Sequence, residues 1–239
     1  VQILGLADGR VVALSERECS VQRRNQKLVE EAPSPAVSPE LRERFLAAAV
    51  KAGEAVAYRN AGTVECLLDP ATGEFFFLEM NTRLQVEHPI TELIHGIDLV
   101  EAQLRIASGE TPGFDPDALP STGHAIELRI NAEDPKRFRP GPGAVTTWVE
   151  PTGDGVRVDS GYAAGTTVTP HYDSLLAKLI VVGAGRDDAI GRARTAVAGF
   201  EIAGPKNNLP FFAELLENDE FLGGDYDTGI VSRMRAGVR

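Results

Sequence analysis

Cysteine is almost missing from this chain: Cys19 and Cys66 are the only two among 239 residues. They form neither a disulfide framework nor a zinc spacing, so a reducing compartment is the default. Positive charge is in deficit. Lysine and arginine number 24 against 35 acids, a net charge of −11, and the pI is near 4.9. That balance argues against a nucleic-acid surface. No run is long or apolar enough to span a membrane, and none reads as a signal peptide. No glycine-rich loop opens a helix, since Gly141, Gly143 and Gly183-Ala184-Gly185 read as turn glycines rather than a phosphate cradle. Internal repeats and low-complexity stretches are absent as well. What remains has an ordinary globular composition, 43% hydrophobic and 25% charged, with length for one large domain or two small ones. It starts at Val1 inside the strand-like run Val1-Gln2-Ile3-Leu4-Gly5-Leu6, so we expect part of something longer.

Val1–Ala7 and Arg10–Leu14 read as a hairpin about Asp8-Gly9. Ser15–Gln26 is dense with charge (Glu16, Arg17, Glu18, Arg23, Arg24), either a solvated face or something more. Ala32–Pro39 is a proline-rich loop. Ser38 and Pro39 open a helix as N-cap and first residue, running to about Tyr58. Asp98 caps another that ends near Gly109. Glu110–Thr122 lacks periodicity and marks a boundary. Beyond it, Ala125–Asn131 alternates, with Glu127, Arg129 and Asn131 on one face. Short strands follow at Val145–Val149, Val156–Asp159, Thr166–Val168, Leu175–Val182 and Glu201–Ala203. Helices are expected at Arg186–Phe200 and, as the last, Leu209–Glu217.

The most informative stretch is Glu79-Met80-Asn81-Thr82-Arg83-Leu84-Gln85-Val86-Glu87-His88. In an extended backbone, Glu79, Asn81, Arg83, Gln85 and Glu87 would share one face. The preceding Phe75-Phe76-Phe77-Leu78 reads as a strand buried on both faces. Gly62–Leu68 and Glu74–Glu79 flank the turn residues Asp69-Pro70-Ala71-Thr72-Gly73. If that hairpin centres near Thr72, Glu65 faces Glu79 directly, roughly 4.5–5.5 Å apart at Cβ. Bare carboxylates so placed repel by about 3 kcal/mol at an effective dielectric near 20. A hard divalent cation, Mg²⁺ or Mn²⁺, would remove the penalty, and Asn81 could add an amide oxygen. Protonation of one acid, pairing with Arg83, or a register shifted by one residue are the alternatives. A solvated edge strand is the plainer reading of the whole stripe.

Four stretches, in order, resemble the biotin carboxylases, ATP-grasp enzymes of the biotin-dependent carboxylases. They are Gln22-Arg23-Arg24-Asn25-Gln26-Lys27, Glu79 to Glu92, Arg129-Ile130-Asn131-Ala132-Glu133-Asp134-Pro135, and His171-Tyr172-Asp173-Ser174. The likeness is to the second half of such an enzyme. It implies an α+β fold: a partial ATP-grasp domain over residues 1–110, a linker at 111–122, and a biotin carboxylase C-terminal domain at 123–239. Met80, Thr82 and Pro89 lean toward the acyl-CoA carboxylase branch, of the acetyl or propionyl type.

The resemblance assigns Glu65, Glu79 and Asn81 to a Mg²⁺ or Mn²⁺ ion. Lys27, Arg83, Gln85 and Val86 match a bicarbonate pocket, Val86 through its backbone. Glu87 matches the base that takes the bicarbonate proton, and Arg129 the cation that stabilises the biotin enolate. Gln22, Asn25 and Leu67 match positions around ATP. Asn25 stands where many relatives carry histidine, and Pro205 where an aliphatic residue usually lines the adenine pocket. Implied partners are bicarbonate, a biotin carboxyl carrier protein or domain and a carboxyltransferase subunit, in an oligomeric, cytoplasmic enzyme (mitochondrial matrix in a eukaryote). The family's N-terminal domain, mobile lid and further ATP-binding lysines have no counterpart here, so the isolated chain is expected to be inactive. Rival readings are another ATP-grasp carboxylate–amine ligase and a non-catalytic assembly remnant.

Overall fold

The computed structural model describes residues 1–236; the last three residues of the expected second domain lie outside the described residues. In chain order the elements are β1 (Gln2–Gly5), β2 (Val11–Ala13), β3 (Glu18–Arg23), β4 (Gln26–Ala32), α1 (Pro39–Ala55), β5 (Asn60–Asp69), β6 (Glu74–Asn81), α2 (His88–His95) and α3 (Leu99–Ala107). Then come β7 (His124–Asn131), β8 (Gly143–Ala144), β9 (Thr147–Val149), β10 (Val156–Ser160), β11 (Thr167–Val168), β12 (Leu175–Gly183), α4 (Arg186–Gly199), β13 (Glu201–Ala203), α5 (Leu209–Leu215), α6 (Asp219–Gly223) and α7 (Ile230–Arg235). The expectation that the helix at Leu209 is the last is therefore corrected, because α6 and α7 follow it. Asn218 caps α6 by accepting from the backbone N–H groups of Glu220 and Phe221.

Two compact units result: Val1–Glu18 with Ala32–Thr122, and Cys19–Glu31 with the chain from Gly123 onward. The second unit starts at the expected residue 123, but residues 111–122 group with the first unit and Cys19–Glu31 with the second. That segment is most of a hairpin hidden in the charged run. Arg24 and Asn25 form its two-residue turn, with φ of 50° and 64°, the left-handed pair that a tight hairpin of this kind needs.

The first unit is a four-stranded sheet ordered β2-β1-β5-β6. Neighbouring residues of β1 serve opposite faces. Ile3 packs with Val11, Ala49 and Val64 toward α1, while Leu4 joins Ala61, Leu99 and Ile106 toward α3. Gly53 allows α1 to lie close, since a Cβ there would meet Val11 Cγ1 at 2.7 Å. Ser38 Oγ accepts from Leu41 N at 3.2 Å and Asp98 Oδ1 from Glu101 N at 2.8 Å, so both expected caps form.

The second unit is a five-stranded sheet ordered β10-β12-β7-β4-β3, with two small ribbons, β11-β8 and β13-β9. Ile126, Leu128 and Ile130 of β7 face a core shared with α4 and α5 through Ala189, Ala193, Phe211 and Phe212. The other face of β7 carries Glu127, Arg129 and Asn131, as the alternation implies. Beneath this sheet Glu31 is fully buried. Its carboxylate accepts from Arg186 Nε and Nη2 at 2.8 and 3.0 Å, from Tyr226 Oη at 2.5 Å, and bonds His124 Nε2 at 2.5 Å. Burial pushes this carboxyl up, but the bonds from His124 and Arg186 outweigh it and hold the group below its ordinary 4.5.

A folded-state value below the unfolded one stabilises the protein above about pH 4.5, and that contribution is lost as pH falls through the lowered value. Glu31→Gln should therefore cost about 3–5 kcal/mol at neutral pH, because Arg186 keeps its burial and loses its charge partner. It should also flatten the acid limb. Thermal melts of both proteins from pH 7 to 3 measure this; parallel acid limbs would show that Glu31 does not carry it.

Candidate active site

The strand β6 ends at Asn81, and this corrects the extended stripe. Arg83, Gln85 and Glu87 lie on a loop and turn that lead into α2. The turn closes because Gln85 O accepts both His88 N at 3.3 Å and His88 Nδ1 at 2.8 Å. Gln85 and Glu87 are nonetheless only 5% and 2% exposed. Burial of a polar amide and an acid is thus real, although folding of a loop produces it. Phe76, Phe77 and Leu78 are 58%, 62% and 53% exposed, so the strand is not buried on both faces. The reason is its place at the outer edge of the sheet. Phe75 alone is held inward, stacked on Phe45 of α1 at 4.1 Å between centroids.

Glu65 does pair with Glu79, by an unexpected route. Near the turn the register runs Asp69↔Glu74 through Cys66↔Phe77, and then shifts to Glu65↔Glu79. Leu78 is the extra residue, a β-bulge. Without it Glu65 would oppose Leu78, and Glu79 would project from the other face. The bulge re-aims Glu79 so that both carboxylates converge.

The group that bridges them is Asn81. Its Nδ2 donates to Glu65 Oε1 at 3.1 Å and to Glu79 Oε1 at 2.9 Å. Gln85 Nε2 donates to the same Glu65 oxygen at 2.6 Å. Arg83 is exposed and donates to Leu84 O at 3.2 Å, with Asn81 Oδ1 3.5 Å away. Among the described residues no cluster of three or more His, Cys, Asp or Glu could hold a metal ion. The donor set here is instead two carboxylates and a carboxamide, hard oxygen ligands of the kind that suit Mg²⁺ or Mn²⁺. A half-turn of the Asn81 amide would present its oxygen.

Glu87 holds the N-cap position of α2, but its side chain makes no capping bond. Val86 sits in the turn before it, and Leu67 is exposed on β5. In the second unit Gln22 lies on β3, Asn25 at the hairpin turn and Lys27 on β4. Arg129, on β7, donates from Nε to the fully buried Glu30 at 2.7 Å, and its Nη2 is 2.5 Å from the same oxygen. Register sets Lys178 of β12 opposite Arg129 and Asp159 of β10 opposite Lys178. Lys178 Nζ is 3.0 Å from Asp159, so charges of both signs cross the sheet in one row.

Sequence reasoning missed two polar residues. Asn208 precedes α5 as an N-cap would, but its side chain clips β7, donating to Arg129 O at 2.9 Å and accepting from Asn131 N at 2.8 Å. Arg17 sits in the charged run beside Glu16, and both turn inward. Glu16 is buried and accepts from Arg42 Nε and Nη2. An asparagine directly before a helix start, and a charged run flanked by strands, were the available signals.

Comparison with known proteins first defines the class. Residues 1–112 match the carbamoyl-phosphate synthase L chain, ATP binding domain, and residues 127–233 the biotin carboxylase C-terminal domain. The chain belongs to the biotin carboxylase family. It is 50% identical over 238 residues to a pyruvate carboxylase subunit from Methanothermobacter thermautotrophicus, covering 99% of this chain and 48% of that protein. The crystal structure of a Campylobacter jejuni biotin carboxylase superposes with a TM-score of 0.94 at 39% identity, over 98% of this chain and 52% of that one. The biotin carboxylase domain of Hydrogenobacter thermophilus 2-oxoglutarate carboxylase, solved with MgADP, ADP and bicarbonate, gives 0.94 at 44% identity, over 97% of this chain and 51% of that one. The chain spans about half the length of the curated relatives it matches. No helix of the described residues is long and apolar enough to cross a membrane.

Deletion of Leu78 should give an unbroken ladder in which Cys66↔Phe77 is followed directly by Glu65↔Glu79, so the two acids stay opposed. Mn²⁺ affinity, read by electron paramagnetic resonance, should then stay within about threefold, whereas Glu79→Ala should lower it by about tenfold or more, as when a ligand set loses a member. A comparable loss in the Leu78 deletion as well would show that opposition of the two acids is not by itself what sets the affinity.

Proposed function

We propose that this chain is part of an enzyme that carboxylates biotin, held on a carrier protein or domain, from bicarbonate and ATP. The observation that carries the reading is the converging pair Glu65 and Glu79, bridged by Asn81 and followed by the buried Gln85 and Glu87, in a chain of this family. In the first step a bicarbonate oxygen forms a bond to the γ-phosphorus of ATP. The bond to the β–γ bridging oxygen breaks, giving carboxyphosphate and ADP. In the second, the C–O bond of carboxyphosphate breaks to give CO₂ and phosphate, the phosphate takes the ureido N–H proton of biotin to leave the enolate, and that nitrogen forms its bond to the CO₂ carbon.

Within this reading Lys27, Arg83, Gln85 and the Val86 backbone bind bicarbonate. An arginine suits a planar anion because its donors form a rigid fork. Glu87 takes the bicarbonate proton. Glu65 and Glu79, with Asn81 turned to offer its oxygen, would hold Mg²⁺ or Mn²⁺, which when bound supplies positive charge against the phosphoryl oxygens. Gln22, Asn25 and Leu67 contact the nucleotide. Arg129, oriented by Glu30 and by the Asn208 clip, is a fixed cation for the enolate.

We place the carboxylated biotin in an acetyl- or propionyl-type acyl-CoA carboxylase, on the strength of Met80, Thr82 and Pro89. An oxo-acid acceptor is the second reading, favoured by relatives named pyruvate and 2-oxoglutarate carboxylase. Carboxyl transfer from the assembled enzyme to acetyl-CoA, propionyl-CoA or pyruvate separates the two. A carboxyltransferase partner, an oligomer and a cytoplasmic or matrix setting go with either. Both also leave the 239-residue polypeptide alone with little turnover.

In the enzyme that contains this chain, ATP cleavage should require bicarbonate and be stimulated by biotin. Arg129→Ala should lower biotin carboxylation by ~10²–10³, the usual effect of one lost donor to a developing oxyanion. Biotin-independent ATP cleavage should change little, because the enolate exists only in the second step. Equal loss of both activities would refute the Arg129 assignment.

A further inference from the structure

Arg17 lies in the link between β2 and β3 and donates to four neutral oxygens. Nη1 donates to Gln2 Oε1 at 2.8 Å and Thr91 Oγ1 at 3.1 Å. Nη2 donates to Thr63 Oγ1 at 3.0 Å and Gln85 Oε1 at 3.0 Å. The four acceptors are buried side chains that come from β1, α2, β5 and the loop after β6. A guanidinium has donors and no acceptor. An amide beside it must therefore turn its oxygen inward, and Gln85 does so. The same rotamer sends Nε2 outward, where it meets Glu65 Oε1 at 2.6 Å. A flipped amide would set oxygen against carboxylate oxygen and nitrogen against guanidinium, two repulsive contacts in place of two bonds.

We propose that Arg17 is a positioning residue that locks the Gln85 amide with its N–H groups toward the Glu65 side. N–H groups are the polarity an anionic substrate requires, so Arg17 sets bicarbonate affinity through Gln85. This rests on the reading that bicarbonate binds beside Gln85. The competing account makes Arg17 a staple, there only to satisfy buried oxygens in a packed polar cluster.

Steady-state kinetics of the enzyme that contains this chain decide between them. Arg17→Met should raise the KM for bicarbonate about tenfold, the size of effect seen when an orienting partner behind a ligand is lost. The KM for ATP should stay within about twofold. Arg17→Lys keeps the charge but not the fork, and should raise it by about threefold. In a Gln85→Ala background, Arg17→Met should add less than about twofold, because the two residues act as one unit. Thr63→Val with Thr91→Val should lower the melting temperature and leave bicarbonate KM unchanged.

If the Arg17→Met and Gln85→Ala effects multiply, or only melting temperature moves, Arg17 is a staple and the proposal fails. A folded Arg17→Lys enzyme with unchanged bicarbonate KM overturns it alone, even where Arg17→Met does not fold. If Gln85→Ala itself leaves that KM unchanged, the assignment of bicarbonate to Gln85 fails, and the role of Arg17 falls with it.

Discussion

Two carboxylates facing each other on one side of a hairpin repel by about 3 kcal/mol at an effective dielectric near 20. The first unit is organised around bearing Glu65 and Glu79 in that relation. A bulge creates the juxtaposition, and two primary amides relieve it by donating to the oxygens. Arg17 in turn fixes which way one of those amides points. Each group answers a demand set by the previous one, so the arrangement reads outward from the acids through Asn81 and Gln85 to Arg17.

The second unit handles charge differently. Glu30 and Glu31 are adjacent on β4 and both are fully buried. Successive strand residues point to opposite faces, so the two carboxylates serve different partners. Glu30 meets Arg129, and Glu31 meets Arg186, Tyr226 and His124. A buried charge is tolerable when its remaining lone pairs are filled, and Glu31 is surrounded accordingly. The row from Glu30 through Arg129 and Lys178 to Asp159 spreads the same compensation across four strands.

Much of this is legible from residue order. Ser38 and Asp98 mark true helix starts, because a capping oxygen and the bare N–H groups it satisfies are neighbours in sequence. The alternation of Ala125–Asn131 correctly separates a core face from a polar one. The opposition of Glu65 and Glu79 also follows from symmetric counting about Thr72, but the turn-side ladder has a different centre and Leu78 makes up the difference. A bulge has no local signature of its own, because it is a relation between two strands. For the same reason Phe76 and Phe77 look like a buried strand. Apolar composition does not say whether a strand is central or outermost. The Arg24-Asn25 turn is easily overlooked since neither residue is glycine, and Arg17 is one charge among many. Its meaning depends on four acceptors between 15 and 74 residues away.

The placement of β6 has a bearing on how the polypeptide behaves in company. An outermost strand offers a row of unpaired N–H and C=O groups to any other extended chain, and Phe76, Phe77 and Leu78 make that row adhesive. Six or so apolar β-forming residues in sequence are what ordered aggregates are built from. The register break at Leu78 interrupts the flat ribbon that such stacking needs, and Glu79 follows it at once with a charge. The residue that aims a carboxylate thus also acts as a gatekeeper against self-association, so a variant that smooths the ladder there gives up solubility even where the two acids stay opposed.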